Sequence, residues 1–302
     1  MRRWAALLLL VAGSALTACA PGPDAGPREI VVTTNILGDV VRNVVGDAAG
    51  VRVLMVPNSD PHSFGVSAQD AAAMGDADLI VFNGLGLEEN VLRNVESAAA
   101  QGVPTVAVGE LVDPIAYTEG DGAGTPDPHF WTDPRRMIGA VDVIEDTVLR
   151  EVDGVDAQTV SRNADDYRSQ LNDLDAYMVD GFAGIPAERR RLVTNHHVLG
   201  YLAARFGFTV IGAVVPSGTT LAAPSPSNLQ SLVGAIESAR VPAIFVDSSQ
   251  PEKLARVLAD DAGLRVQIVP LYSESLGPPG SPAATYLDMM RANTGAIVTG
   301  LR

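Results

Sequence analysis

Short apolar, β-branched runs alternate with stretches of helical spacing along most of this chain, and that alternation limits the possible folds more than any other feature. The run Glu29–Thr34 is followed by Ile36–Val45, in which apolar side chains recur three or four residues apart. Strands are predicted at Glu29–Thr34, Val51–Val56, Asp78–Phe82, Val103–Val108, Arg191–Thr194, Thr209–Val214, Ala243–Val246 and Val266–Pro270. Helices are predicted at Ile36–Val45, Ala68–Gly75, Glu89–Gln101, His197–Phe206, Asn228–Ala239, Pro251–Ala262 and Pro282–Asn293. Such alternation is typical of an α/β protein in which helices cover mainly parallel sheets.

The predicted strands fall into two groups, which are separated by a polar stretch with helical spacing. Pro134–Val152 has a proline where the first turn of a helix would be, and Asp156–Phe182 is a longer helical segment. At 1.5 Å per residue, a helix over the longer segment would be about 40 Å long, which is enough to brace both groups. We therefore predict an N-terminal α/β lobe over 28–155, a connecting helix over 156–185 and a C-terminal α/β lobe over 186–302.

The composition excludes several classes of protein. The 302 residues include 36 acidic and 21 basic side chains, which gives a formal net charge of −15. A nucleic-acid-binding protein needs a basic face, so this charge argues against that function. The hydrophobic share of 47% is enough to fill a packed core. Cys19 is the single cysteine, which excludes an internal disulfide and a cysteine-rich metal site.

The N-terminus has the pattern of an export signal. Two arginines supply the positive charge, and Trp4–Ala12 is an apolar run too short to span a membrane. Leu16–Cys19 resembles the bacterial lipobox, in which the cysteine is lipidated; an ordinary secretory signal with a chance cysteine is the alternative. We expect a lipoprotein signal peptide over 1–18 and a flexible tether rich in proline and glycine over 19–27. The body of the protein would then be anchored through Cys19 outside the cytoplasmic membrane.

Four side chains that can bind a metal lie at the ends of predicted strands or in the loops after them. His62 follows the second predicted strand, and His129 lies in a loop after the first group of strands. His196 directly follows the first strand of the second group, and Glu274 follows its last strand. In open parallel sheets, ligands bind near the carboxyl ends of the strands. Because each half contributes two candidates, the sequence predicts that all four surround one cleft between the halves.

Three aspartates near these candidates have several possible roles. Asp60 and Asp127 each lie two residues before one of the histidines. They are candidates for partners that fix the orientation of an imidazole ring, and solvated loop carboxylates are an equal alternative. Asp247, after the strand Ala243–Val246, is predicted to cap or precede the helix that Pro251 opens.

Several motifs occur in the same order as in one known family. They are Asp60–Phe64, Ala77–Glu88, Asp127–Pro134, Asn163 and Ala164 with Tyr167 and Leu171–Leu174, His196 with Gly200, Tyr201 and Gly207, and Leu271–Gly277. From about Glu29 to the C-terminus, the chain resembles the metal-binding solute-binding lipoproteins of bacterial ABC transporters, which take up zinc or manganese. The two Asp-Pro-His motifs are specific, and the other motifs are supporting. The resemblance implies two α/β lobes joined by a long rigid helix, with the metal in the cleft between the lobes.

The resemblance also implies which side chains bind the metal. Carried over by motif, the ligands are His62, His129, His196 and Glu274. The family usually has an aspartate at the last position, where Glu274 reaches one methylene further. The residue after the third ligand is often an aspartate in the family, and in this chain it is His197. This difference leaves His196 and His197 as alternatives, of which the spacing to Gly200 and Tyr201 favours His196.

The chemistry of the four side chains favours zinc. Three imidazoles and one carboxylate form a tetrahedral set of the kind that Zn²⁺ prefers. Mn²⁺ prefers more oxygen ligands, and it binds more weakly than zinc to nitrogen-rich sites. Family members that take up manganese carry a carboxylate at the third position, where this chain has His196. The sequence therefore predicts zinc, with manganese as the alternative.

Together these features predict the extracytoplasmic solute-binding component of an ABC importer, which captures a divalent metal ion and delivers it to the membrane permease. The expected partners are the permease and its ATPase, with no nucleic-acid partner, and we expect a monomer that is not an enzyme. A metal-binding adhesin or buffer is an alternative that the sequence does not separate from transport. A zinc hydrolase is less favoured, because the chain has no HExxH motif and a fourth protein ligand would close the site.

Overall fold

The structure is a computed structural model, and it describes residues 28–118, 120 and 122–302. The predicted signal peptide over 1–18, the predicted lipidation site Cys19 and the predicted tether over 19–27 lie outside the described residues. Within these described ranges, no helix has both the length and the apolar character that crossing a membrane requires.

Two four-stranded sheets form the centres of two lobes, as the alternating pattern predicted. The strands of the N-terminal sheet are β1 (Glu29–Val32), β2 (Gly50–Val53), β3 (Leu79–Phe82) and β4 (Thr105–Ala107). The strands of the C-terminal sheet are β5 (Arg191–Thr194), β6 (Thr209–Ala213), β7 (Ala243–Asp247) and β8 (Gln267–Leu271). Neighbouring strands are parallel, in the orders β2-β1-β3-β4 and β6-β5-β7-β8. The two sheets therefore share one topology.

Helices surround both sheets, and many begin at a side chain that caps the first turn. Those that precede the C-terminal lobe in the chain are α1 (Asn35–Val45), α2 (Ala68–Gly75), α3 (Glu89–Ala100), α4 (Pro134–Glu151) and α5 (Ala157–Ala183). Those of the C-terminal lobe are α6 (Gly200–Phe206), α7 (Pro226–Ala239), α8 (Lys253–Asp261) and α9 (Tyr286–Leu301). Asp133 caps α4, whose first residue is a proline, and Asp156 caps α5.

Helix α5 joins the lobes along one side of the molecule. It is continuous over 27 residues and packs against α1 and α4 of the N-terminal lobe and α9 of the C-terminal lobe. The largest hydrophobic core extends from Ile30 and Val41 through Leu171 to Phe245 and Ile297, so it belongs to both lobes. The outer faces of the sheets have smaller cores of their own, under α2 and α3 and under α7 and α8. The lobes are thus fixed to each other on the side of α5.

All four predicted helices of the C-terminal lobe have different bounds in the structure, and α7 begins at Pro226, two residues before the predicted Asn228. Helix α6 begins at Gly200 instead of His197, and the backbone N–H of His197 donates to Ser217 O at 2.9 Å in a neighbouring loop. Helix α8 begins at Lys253, after the predicted start at Pro251. Helix α9 begins after its cap Thr285 and continues past the predicted end to Leu301. Close packing on the sheet accounts for its Gly300, where an added Cβ would lie 3.2 Å from Phe245.

Candidate metal centre

The four side chains that the sequence singled out come together in the cleft between the lobes. Potential ligand atoms of His62, His129, His196 and Glu274 all lie within 4.8 Å of one another, and all four residues are buried. His129 Nε2 is 3.4 Å from His62 Nε2 and 3.3 Å from Glu274 Oε1. His196 Nε2 is 2.7 Å from Glu274 Oε1, and His62 Nε2 is 4.0 Å from Glu274 Oε2. Bonds of 2.0–2.1 Å in a tetrahedron separate donors by about 3.3 Å, so the cluster has the size of a four-coordinate site.

Each side chain reaches the cleft from a loop next to a strand end or a helix start. His62 lies in the loop after β2, and His129 immediately precedes a short 3₁₀ turn that leads into α4. His196 comes two residues after β5, and Glu274 three residues after β8. The N-terminal lobe thus supplies two side chains and the C-terminal lobe two. Of the two alternatives at the third motif, His196 belongs to the cluster and His197 does not.

The two Asp-Pro-His motifs fold in the same way locally. Asp60 Oδ1 accepts a hydrogen bond from the backbone N–H of His62 at 2.9 Å, and Asp127 Oδ1 accepts one from that of His129 at 2.9 Å. An aspartate commonly binds the backbone two residues further on, and the intervening proline fixes one dihedral angle. Both aspartates are buried, which excludes the alternative interpretation that they are solvated loop carboxylates. The motif therefore holds the histidine backbone in a fixed turn.

Beyond this shared turn, only His129 is oriented through its ring by its aspartate. Asp127 Oδ1 lies 2.7 Å from His129 Nδ1, and a carboxylate accepts the proton of that nitrogen. The second ring nitrogen, Nε2, therefore faces the cluster, as in many metal sites. The hydroxyl of Tyr117 lies 3.2 Å from the same Nδ1, and Tyr201 Oη donates to the carbonyl of Asp127 at 2.8 Å. Sequence reasoning assigned no role to either tyrosine.

Glu274 is held by Asp247, which was predicted instead to cap or precede a helix. Asp247, at the end of β7, accepts hydrogen bonds at Oδ2 from the backbone N–H of Glu274 at 3.0 Å and from that of Ser273 at 3.1 Å. Asp247 does precede α8, but that helix has no side-chain cap. Trp131, next to the second motif, donates from Nε1 to Ser273 O at 2.8 Å across the lobes. The short loop that carries Glu274 is therefore fixed from both lobes.

The charges in the cluster strongly affect one another. Burial favours the neutral acid, but His129 and His196 outweigh it and hold the pKa of Glu274 well below its usual range. Burial lowers the pKa of His62 to about 4, although Glu274 opposes the shift. For His129, burial also favours the neutral ring, but Glu274 and Asp127 outweigh it and raise the pKa to about 10. A buried carboxylate at the centre thus attracts positive charge, which a proton or a metal ion can supply.

Unpaired polar atoms in the cluster point to the same conclusion. Both carboxylate oxygens of Glu274 and Nε2 of His196 are buried, and although His196 Nε2 lies 2.7 Å from Glu274 Oε1, none of the three atoms has a hydrogen bond of suitable geometry among the described residues. Buried polar atoms are normally paired, and an unpaired group calls for an explanation such as an ion. A divalent cation bound by the four side chains would satisfy all three atoms. The donor set and its geometry therefore fit a metal ion.

A two-lobed α/β protein with three histidines and a carboxylate buried between the lobes has the form of a metal-binding solute-binding protein. The chain matches the family described as "Zinc-uptake complex component A periplasmic" (ZnuA) over residues 30–300, and it belongs to that family.

The similarity extends along nearly the whole chain in individual relatives. The chain is 30% identical over 296 residues to the manganese-binding lipoprotein MntA of Halalkalibacterium halodurans, covering 98% of this chain and 95% of that protein. It is 32% identical over 280 residues to the zinc-binding protein TroA of Treponema pallidum, covering 91% of this chain and 89% of that protein. The solved structure of the periplasmic zinc-binding protein TroA from Treponema pallidum superimposes with a TM-score of 0.83, covering 91% of this chain and 99% of the TroA chain. The names of these relatives refer to different metals.

Proposed function

We propose that this protein is the extracytoplasmic component of an ABC importer that captures zinc and delivers it to a membrane permease. The observation that carries the proposal is the buried cluster of His62, His129, His196 and Glu274, whose donor atoms lie within 4.8 Å of one another. In this proposal the metal is the cargo of transport, and the protein performs no chemical reaction on it. Four protein donors in a closed site favour binding over catalysis, since a catalytic zinc keeps one position for water or substrate.

The choice of zinc over manganese rests on the donor set. One carboxylate and three imidazoles provide three nitrogen atoms, and zinc exceeds manganese in affinity for sites rich in nitrogen. Manganese prefers several oxygen ligands, of which this cluster offers only the carboxylate. MntA and TroA, at similar identity, are named for manganese and zinc respectively, so the local donor set is the better guide.

The remaining parts of the proposal concern location and partners. We propose that the chain is anchored to the membrane through lipidated Cys19, works as a monomer, and meets a permease with its ATPase. The relative MntA is named as a lipoprotein, which supports the anchor. Residues 28–155 and 186–302 would form the two lobes that deliver the metal, with 156–185 as the connecting helix.

The test is a competition between the two metals for the purified protein. The metal-free protein is exposed to equal concentrations of Zn²⁺ and Mn²⁺, desalted, and analysed for both elements. We expect one zinc per chain and almost no manganese. Retention of manganese in preference to zinc would overturn the assignment of the metal, and retention of neither would overturn the proposed function.

A further inference from the structure

Asp60 connects the N-terminal lobe with two loops of the C-terminal lobe beside the metal centre. Its Oδ1 accepts the hydrogen bond from the backbone of His62 described above. Its Oδ2 accepts hydrogen bonds from Thr220 Oγ1 at 2.6 Å and Gln250 Nε2 at 2.8 Å, and from the neighbouring Ser63 Oγ at 3.0 Å. One buried carboxylate thus binds both the backbone of a metal-site histidine and side chains of the opposite lobe.

The second Asp-Pro-His motif provides the comparison that defines this role. Asp127 Oδ1 binds the backbone and the ring of His129, so that aspartate orients an imidazole. Asp60 instead directs one of its oxygens toward Thr220 and Gln250. The same local turn therefore serves a different purpose in the first motif, where the aspartate joins the lobes.

The two loops that Asp60 contacts, 215–221 and 248–252, follow β6 and β7, and we call them the flap loops. A cleft of about 480 Å³ lies beside them; its lining includes Thr220 and Gln250, and also Val214, Leu254 and His196. Most of this lining is apolar, and backbone hydrogen bonds such as those from His197 to Ser217 O and from Ser248 to Leu271 O tie the flap loops to their own lobe at their ends. The cleft gives them room to move away from the N-terminal lobe.

The lobes are also joined beside Glu274 and along α5. Trp131 Nε1 donates to Ser273 O across the lobes, and the backbone N–H of Leu276 donates to Asn35 Oδ1 at 2.9 Å. The large core that both lobes share lies on the side of α5. Separation of the lobes at the flap loops would break hydrogen bonds that include those of Thr220, Gln250 and Ser248 to the N-terminal lobe, and it would leave this core intact.

We propose that Asp60 is a positioning residue that latches the flap loops to the N-terminal lobe and thereby sets how fast a bound metal leaves. The inference rests on the proposed function, since it concerns release of the proposed cargo. A bound metal would join His62 to His196 and Glu274, so it leaves only when donors from the two lobes separate. Hydrogen bonds from Thr220 and Gln250 to a charged acceptor oppose that separation, although neither side chain is among the four metal donors.

The experiment measures zinc release from the purified full chain, with excess chelator to capture the free ion. Thr220→Val removes the hydroxyl at nearly constant shape, and Gln250→Leu removes the amide donor. We expect each to release zinc roughly tenfold faster than the wild type, because each loses a hydrogen bond to a charged group. Thr220→Ser keeps the hydroxyl and should restore the wild-type rate. Ser63→Ala removes a bond to the same oxygen from within the N-terminal lobe, and it should leave the rate within about twofold.

A second measurement needs no metal. In the metal-free protein, amide hydrogen exchange in segments 60–64 and 216–222 should be faster for Thr220→Val and Gln250→Leu than for the wild type. Unchanged release and exchange in both variants would overturn the latch. Faster release from Ser63→Ala equal to that from Thr220→Val would also overturn it, because the effect would then arise within one lobe. Failure of the wild type to bind zinc would instead overturn the proposed function, and the exchange data alone would then decide whether the latch exists.

Discussion

The two lobes share a strand order, yet the crevice at the carboxyl ends of their two middle strands has different contents in each lobe. In each sheet the chain first moves to one side of its starting strand and then crosses to the other. Between these strands, at their carboxyl ends, an open parallel sheet has a crevice where ligands commonly bind. In the N-terminal lobe this crevice lies between the ends of β1 and β3, and in the C-terminal lobe between those of β5 and β7.

The N-terminal crevice is filled by a buried carboxylate. Glu88 Oε1 accepts hydrogen bonds from Thr33 Oγ1 at 2.8 Å, after β1, and from the backbone N–H of Asn83 at 2.6 Å, after β3. Its Oε2 accepts one from the backbone N–H of Gly84 at 3.1 Å. The carboxylate thus ties the ends of the two strands together.

The C-terminal crevice contains the cleft of about 480 Å³, which reaches His196. In this lobe Asp247, a buried carboxylate at the end of β7, binds the loop after β8 and also accepts a hydrogen bond from the backbone N–H of Ser249, in the flap loop after β7, at 2.7 Å. That arrangement fixes Glu274 and leaves the flap loops beside an open space. One topology thus supports the metal centre from a crevice that a carboxylate fills in one lobe and from a crevice that holds an open cleft in the other.

The largest effect on zinc binding is expected from removal of an imidazole from either lobe. His129→Ala and His196→Ala should each weaken zinc binding by several kcal/mol, compared with roughly 10–16 kcal/mol for complete structural zinc sites. The loss should be similar for the two lobes, because the metal would bridge them. Zinc titration against a competing chelator measures both affinities.

His197→Ala is the matched control for His196→Ala, because it removes the neighbouring imidazole, which lies outside the cluster. It should leave the zinc affinity nearly unchanged. Abolished binding in His197→Ala with retained binding in His196→Ala would show that the third ligand is misassigned.

The buried carboxylates of Glu88 and Asp247 should differ in their effect on zinc binding. Glu88→Ala and Asp247→Ala each leave buried N–H groups without an acceptor, so each should lower the free energy of unfolding by about 2–4 kcal/mol. Asp247→Ala should also weaken zinc binding, because it frees the backbone of Glu274. Glu88→Ala should leave the zinc affinity of the folded protein nearly unchanged. Chemical denaturation and zinc titration of both variants test this, and equal effects on zinc affinity would contradict the distinction between the lobes.

The sequence predicted the parts of this molecule that depend on local patterns. The runs around Ile30 and Val81 indicated strands through their β-branched residues, and the repeated Asp-Pro-His motif identified two donors of the cluster. The latch and the carboxylate supports could not be predicted in this way. Asp60 meets Gln250 across a sequence separation of 190 residues, and only the relative position of the lobes brings them together. Glu88 ends the motif Ala77–Glu88, yet nothing in its neighbours indicates burial, since an isolated glutamate is usually exposed.

A smaller effect on zinc binding is expected from Glu274, whose loop is held by Asp247 and Trp131. Glu274→Ala should weaken zinc binding by about 2 kcal/mol, less than loss of an imidazole, because three imidazoles remain and water can take the fourth position. Glu274→Asp should also weaken binding, by about 1 kcal/mol, since Asp247 and Trp131 prevent the loop from moving forward by one methylene. Zinc titration of both variants gives the two differences. A silent Glu274→Ala would mean that the carboxylate does not bind the metal.

The smallest expected effect concerns Glu88 and the pH dependence of stability. Burial raises the pKa of this carboxyl, against the hydrogen bonds from Asn83, Thr33 and Gly84 that lower it. A folded-state pKa above the unfolded value means that the folded protein holds the proton more tightly. The stability that this provides is complete below the unfolded pKa, and it is lost as the pH rises through the folded pKa. Glu88→Gln cannot titrate, so it does not lose this stability. As the pH rises from about 4 toward 7, the free energy of unfolding of the variant should therefore increase relative to that of the wild type. Denaturant unfolding of both metal-free proteins across this range measures the shift, and a shift toward the wild type would mean that the paired carboxylate is the form that the N-terminal lobe stabilises.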